Sequence, residues 1–326
     1  MGEQSSKTGW WAWSTKKKVL IFGTVALVIV ALGVGLGAGL GIGLKNDGDN
    51  DDNDNEGTGP DTTTPTNTTT PTNTTAKWQP AAGTKWQIIL KSELENNQIS
   101  TSVDASIYDI DLFDNNKTVI SDLQKMGRKV ICYFSAGSFE DWRDDASQFD
   151  DEDKGNDLDG WPGEKWLNVK SPKVRKIMQA RLDIAVTKGC DGVDPDNIDG
   201  YENKPGVDIT RADAISYVNW LASQSHSRGL SVGLKNGGDI IESVIDNMQW
   251  CVNEQCAEYD ECDTYAPFIE AGKPVFHIEY PKGEDTNNNK AVTTKQASSA
   301  CTANGAGNFS TVIKNMDLDT WVEYCP

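Results

Sequence analysis

Eight short strand-like runs separated by helical ones predict an α/β fold, a (β/α)8 TIM barrel, for the last three-quarters of this chain. Two further observations support it. Polar residues close six consecutive strands, which in a barrel converge on one mouth. No glycine-rich phosphate loop follows a strand, as the rival doubly wound sheet would need at a nucleotide site. Ahead of the barrel the sequence predicts a single transmembrane helix and a disordered stalk.

Taken in order, Trp86 to Leu90 is the first expected strand and Ser106 to Leu112 the second. A helix over Val119 to Met126 leads to the third, Lys129 to Phe134. A long helix near Lys173 to Lys188 precedes the fourth, Asp191 to Asp196. A helix over Arg211 to Arg228 precedes the fifth, Leu230 to Lys235. Gln249 to Glu254, Pro274 to Tyr280 and Phe309 to Lys314 complete the eight.

The first quarter is not globular in pattern. Residues 1–18 read as a cytosolic tail, and residues 19–44 carry no charge. As a helix those 26 residues would rise about 39 Å, enough to span a bilayer with some tilt. Lys16, Lys17 and Lys18 precede the run and an acidic stretch follows it, so the positive-inside rule predicts a single-pass plasma-membrane protein with its N-terminus in the cytosol. Glycines at every second position from Gly33 to Gly43 give small-xxx-small spacings that would let two such helices dimerise. Residues 45–84, rich in Asp and Asn and then in Thr and Pro, cannot bury a core and read as a stalk. Asn67, Asn73, Asn116 and Asn308 head glycosylation sequons.

The tail carries +3, residues 45–84 carry −5 and residues 85–326 carry −17, which together make the −19 of the chain. A domain this acidic disfavours nucleic acid and favours cationic ligands. All seven cysteines lie in it. Cys256 and Cys262 are spaced to close a small loop, Cys301 and Cys325 to staple the C-terminus, and Cys132, inside a strand, reads as a buried thiol. The odd count leaves at least one unpaired within the chain. With two histidines and no CxxC, zinc is not expected, and no other cofactor is implied.

Four aspartates fall within the run Asp191-Gly192-Val193-Asp194-Pro195-Asp196-Asn197-Ile198-Asp199-Gly200-Tyr201. A calcium loop is not the reading, because Ile198 offers no side-chain oxygen where an EF-hand needs one. Neither histidine lies beside a nucleophile motif, so carboxylates carry the chemistry, and two carboxyl groups are the minimum machinery for glycoside hydrolysis. Gly192, Asp194 and Asp196 share one face of the fourth strand. Asp196, nearest the mouth, is the nucleophile candidate, and Glu254 is the acid/base candidate, with one of the two carboxyls kept protonated. Asp194, one step deeper, is placed to hold Lys235 or a sugar hydroxyl. Asp109, Asp111, Tyr133, Trp142, Asn197, Asp199, Tyr201, Lys235, Asn236, Glu279 and Tyr280 complete the candidate substrate site, with Trp142 and Tyr201 offering faces for sugar rings.

These residues resemble the endo-α-1,4-polygalactosaminidase family, glycoside hydrolase family 114, and the chain looks like a membrane-anchored, fungal-type member. The matching pieces run in order from Tyr108-Asp109-Ile110-Asp111-Leu112-Phe113 through Val130 to Gly137, Gly160 to Glu164 and Asp191 to Tyr201. Gly233 to Asn236, Asn253-Glu254-Gln255-Cys256, Gly272 to Val275 and Glu279-Tyr280 complete them. The resemblance implies a (β/α)8 barrel that hydrolyses α-1,4-linked galactosamine within fungal galactosaminogalactan. It implies Asp196 as nucleophile, with Asp194 as the alternative, and Glu254 as acid/base. At Asp194 the chain departs from the family, which often carries Glu there. The partner so implied is a cationic or partly acetylated galactosamine polysaccharide. The reading from a different class is a catalytically silent barrel that binds surface glycans.

Overall fold

The computed structural model of the chain describes residues 77–91, 94, 103–283 and 286–325. The expected tail, the anchor at residues 19–44 and the stalk up to residue 76 lie outside the described residues. Among the described residues no helix is long and apolar enough to cross a membrane.

Strands β1 (Trp86–Ile89), β2 (Ile107–Asp111) and β3 (Lys129–Ser135) pair in parallel, one after the next. The chain then builds a small antiparallel sheet from β4 (Ser138–Glu140), β5 (Lys154–Asp157) and β6 (Glu164–Leu167) before returning to the wall. β7 (Gly192–Asp196) pairs with β3, and β8 (Ser231–Lys235), β9 (Trp250–Glu254), β10 (Val275–Glu279) and β11 (Ser310–Lys314) follow in order, all parallel. All eight expected wall strands are present, each end within one residue of its expected place. Helices α1 (Lys117–Lys125), α2 (Pro172–Lys188), α3 (Arg211–Ser227), α4 (Ile241–Val244), α5 (Ala266–Glu270) and α6 (Thr294–Cys301) make the crossovers. Their starts are written locally. Asn116 and Ser171 cap α1 and α2, and Thr210 forms a capping box with Asp213 on α3.

The barrel is nearly closed, and a ninth strand lies at the seam beside β11. β12 (Val322–Tyr324) runs antiparallel to β11, and its Tyr324 hydroxyl donates to the Trp86 carbonyl at 2.9 Å. Trp86 Nε1 donates to the Ser310 carbonyl at 2.7 Å, tying β1 to β11 directly.

Side chains alternate along a strand, so each wall strand feeds two layers. Trp86, Ile88, Ile107, Ile131, Trp250, Val252, Phe276, Ile278 and Val312 form one buried cluster, the lumen. The opposite faces pack under the helices in a larger cluster. Two glycines make room for the Trp250 indole: a methyl on Gly233 would lie 2.0 Å from its Nε1, and one on Gly192 2.5 Å from its Cη2. Trp78 floors the lumen. Its ring centroid is 5.5 Å from that of Trp250, Lys129 Nζ lies over it, and its carbonyl accepts from Ser231 Oγ at 2.6 Å. All three partners open their strands. Trp78 and Gln79, expected in the stalk, therefore belong to the folded part, because their contacts seal the strand N-termini.

Cys256–Cys262 and Cys301–Cys325 pair as expected. Cys132 is not the expected thiol. It faces the helical layer from β3, where Cys190 at the end of the α2–β7 turn stands 6.0 Å away between Cα atoms, and the two form a disulfide. Cys251, buried in β9, is the free cysteine among the described residues.

Candidate active site

Alternation turns Asp194 and Asp196 of β7, Tyr133 of β3, Lys235 of β8 and Glu254 of β9 into the lumen, and the strand directions bring them to its C-terminal end. Lys235 is the hub. Its Nζ lies 3.1 Å from Asp196 Oδ2 and 2.9 Å from Glu254 Oε2. Those two oxygens can be no farther apart than the two legs laid end to end, about 6 Å. Burial pushes the Lys235 pKa down, but Asp196, Glu254 and Asp194 outweigh it and hold the ammonium charged.

Each carboxylate has its own support. Tyr133 donates its hydroxyl to Asp196 Oδ2 at 2.8 Å, and the Asn197 N–H donates to Oδ1 at 2.7 Å. Asn197 takes a left-handed φ of 61°, so the chain turns sharply after the aspartate. Its Nδ2 donates to Ser138 Oγ at 2.8 Å. Gly137 must be glycine here, since a methyl would overlap the Asn197 carbonyl at 1.7 Å. Tyr280 donates its hydroxyl to Glu254 Oε1, and the Glu254 N–H donates to Asn236 Oδ1 at 3.0 Å. Burial pushes the Glu254 carboxyl up, but Lys235 and the Tyr280 hydroxyl bring it below its ordinary range. The expected protonated carboxyl is therefore not produced by Glu254's own surroundings.

Protonated carboxyls lie elsewhere. Asp109 and Asp194 are both 0 % exposed, and none of their four carboxyl oxygens has an N–H or O–H donor among the described residues. Burial raises both, Asp194 to about 7; Asp194 raises Asp109 further, whereas Asp109 lowers Asp194. Asp194 does not hold Lys235 as expected, because the ammonium reaches past it to the two mouth carboxylates. Glu164 on β6, which the sequence reading missed, is also buried at the mouth. It accepts from Ser138 Oγ at 2.9 Å, and burial with Glu140 nearby pushes it up to about 8. Its signal was present in Gly160 to Glu164, one of the matching pieces of the resemblance, where the glutamate was given no role. Asp199 is pushed up to about 6 by burial and by Asp196.

Three candidates are placed away from a substrate path. Asp111, 2 % exposed, accepts both Arg143 amino groups at 3.1 and 2.6 Å and the N–H groups of Phe113 and Asp114. Arg143 also grips Glu140, so Asp111 fastens the β2 loop to β4. Glu279 faces outward from β10, lies 2.7 Å from His277 Nε2 and accepts from the Ala257 N–H, holding the loop behind Glu254. Asp109 sits sealed in the lumen. Tyr201, half-buried, donates to Asp239 beyond the mouth, and Trp142 is 49 % exposed on the turn after β4. Cys256, Cys262 and His277 group closely enough to suit a metal, but the two sulfurs are joined in the disulfide.

Two carboxyl groups held across a lumen of this width, next to a cation that both share, can act on a bond lying between them, one attacking it and the other, once it has taken up a proton, protonating the leaving oxygen. The sequence profile of glycoside-hydrolase family GH114 matches residues 67–326. The crystal structure of Aspergillus fumigatus Ega3 in complex with galactosamine is 66% identical, covers 77% of this chain and 98% of its own, and superposes with a TM-score of 0.74. The glycoside hydrolase domain of PelA from Pseudomonas aeruginosa, 14% identical with a TM-score of 0.57 over 74% of this chain and 98% of its own, shares the fold. An uncharacterized protein of Deinococcus radiodurans is 28% identical over 185 residues, 47% of this chain; the match spans little more than half of that protein, 56% of its length.

Proposed function

The chain belongs to glycoside-hydrolase family GH114, and from that premise we propose that it cuts within chains of α-1,4-linked galactosamine in a galactosaminogalactan-like polysaccharide. It is a glycoside hydrolase. The observation that carries the finer reading is the shared grip of Lys235 on Asp196 and Glu254. The likeness to Ega3, crystallised with galactosamine, supports the sugar.

In this reading Asp196 attacks the anomeric carbon while Glu254 gives its proton to the leaving oxygen, and Glu254 then takes a proton from the water that frees the sugar. Retaining pairs stand about 5–5.5 Å apart and inverting pairs about 6.5–9.5 Å, so oxygens capped near 6 Å support retention of configuration. Tyr133 and the Asn197 N–H hold the Asp196 carboxyl in place. The depressed Glu254 suits the base half of the cycle, and its acid half calls for a proton acquired with the substrate or at acid pH. We further propose that residues 19–44 anchor the enzyme in the plasma membrane with the catalytic domain outside. Pairing through the glycine-rich run is part of the same proposal.

The test uses residues 77–326 on deacetylated and acetylated galactosamine polymers. Release of oligomers by the wild type, reduced at least about a hundredfold in Glu254→Gln and Asp196→Asn, is the expected result. Binding by all three proteins with release by none would replace the hydrolase reading with a glycan-binding barrel.

A further inference from the structure

We propose that His277 and Glu279 are positioning residues for Glu254: they fix the turn behind it and so set where the acid/base carboxyl meets the leaving oxygen. The inference rests on the two-carboxyl reading above and deepens it at the acid/base end.

Glu254 is the last residue of β9, and the chain turns away directly behind it. Gln255 takes a left-handed φ of 65°, which a residue with a side chain holds only where its surroundings impose it. The Gln255 N–H still donates to the Ile278 carbonyl of β10 at 2.8 Å. The next two N–H groups leave the ladder and are taken by side chains. Cys256 donates to Asn253 Oδ1 at 3.2 Å, and Ala257 donates to Glu279 Oε1 at 2.8 Å. The Cys256–Cys262 disulfide then closes the loop.

Glu279 is held in turn by the strands beyond it. Alternation puts His277 and Glu279 on the outer face of β10, and both are buried. His277 Nε2 lies 2.7 Å from Glu279 Oε1 and 3.3 Å from Cys256 Sγ. Its Nδ1 lies 3.0 Å from Thr311 Oγ1 on β11, and the Phe309 ring meets the imidazole edge-on at 5.8 Å between centroids. With Glu279 as acceptor, Nε2 carries a hydrogen and Nδ1 faces the Thr311 hydroxyl, so the ring cannot turn without losing a partner at each end. Apolar residues would fill this space at no cost in stability. What the pair adds is a fixed place for the Ala257 N–H.

The next residue of the same strand completes the hold. Tyr280 faces the lumen and donates its hydroxyl to the Glu254 carboxyl. One strand therefore grips Glu254 twice: Tyr280 holds the carboxyl, and Glu279, with His277 behind it, holds the turn that carries it. A shift of about 1 Å in a reacting group can cost about a hundredfold in rate.

The test is steady-state kinetics of the full chain on α-1,4-galactosamine polymer and on a galactosamine oligomer bearing dinitrophenol, a leaving group that departs without a proton. Glu279→Ala and His277→Ala should lower kcat on polymer roughly ten- to a hundredfold at nearly unchanged KM. On the dinitrophenyl substrate kcat/KM should stay within about twofold of wild type, because the step it reports needs no acid. Glu279→Gln, which keeps an acceptor for the Ala257 N–H, should recover most of the polymer rate. Thr311→Val, which frees one end of the imidazole, should show the same split at roughly threefold and carries the test if an alanine variant does not fold. Wild-type polymer rates in the variants would overturn the positioning role and leave the hydrolase reading intact. Equal losses on both substrates would also overturn it, since they would show a merely structural role. A wild type that cuts neither substrate would overturn both readings.

Discussion

A buried carboxyl with no donor near it keeps a proton, because charge without a partner is expensive in a low-dielectric interior. Asp109 and Asp194 are such a pair, and their folded pKa values lie above those of the unfolded chain, Asp194 at about 7. Below about pH 4 both states are protonated and the pair costs nothing. As pH rises toward 7 the unfolded chain gives up its protons and the folded one does not, so stability falls across that window, and the Asp194 share of the loss is complete above it. Asp109→Asn places an N–H donor beside Asp194 and should flatten the fall, raising Tm at pH 7 by roughly 2–8 °C and leaving Tm at pH 4 nearly unchanged. Thermal unfolding from pH 4 to 8 checks this; parallel wild-type and variant curves would show that the pair holds no such proton. At this scale the sequence disclosed faces but not neighbours. Strand alternation pointed Asp194, Asp196 and Glu254 inward, yet which of them Lys235 would reach depends on the stagger between β7, β8 and β9, which no local pattern encodes.

Each wall strand carries a requirement that its neighbours impose. Gly233 on β8 and Gly192 on β7 are flat because the Trp250 indole lies across both, backed by Phe276 and Trp78. Gly233→Ala should destabilise the domain by about 2–3 kcal/mol, since the added methyl meets a ring with no free side to move toward. Gly307→Ala, whose methyl meets nothing within 4 Å, is the control and should stay within about 0.5 kcal/mol of wild type in urea unfolding. Equal midpoints for the two variants would mean that the lumen repacks freely. The wall strands were legible because each is a short apolar run ending in polar residues. The small sheet was not: β5 reads Lys154-Gly155-Asn156-Asp157, and its partial exposure leaves no hydrophobic alternation to see. β12 is likewise half-exposed throughout, and only its pairing with β11 makes it a strand.

Across the whole molecule the −17 of residues 85–326 is a long-range property that no single contact shows. If the substrate is cationic, kcat/KM on deacetylated polymer should fall severalfold between low and physiological salt, where the screening length shrinks from about 30 Å to about 8 Å. The fully acetylated polymer should show no such fall; identical salt profiles would remove any steering role for the charge. The floor of the barrel bears on a different matter. Trp78 lies beneath Trp250, and Tyr324 reaches the carbonyl of Trp86 at the start of β1, so the described chain both enters and leaves by the face opposite the mouth. A bead or display scaffold fused at residue 77 or residue 325 would therefore be attached at the face opposite the mouth.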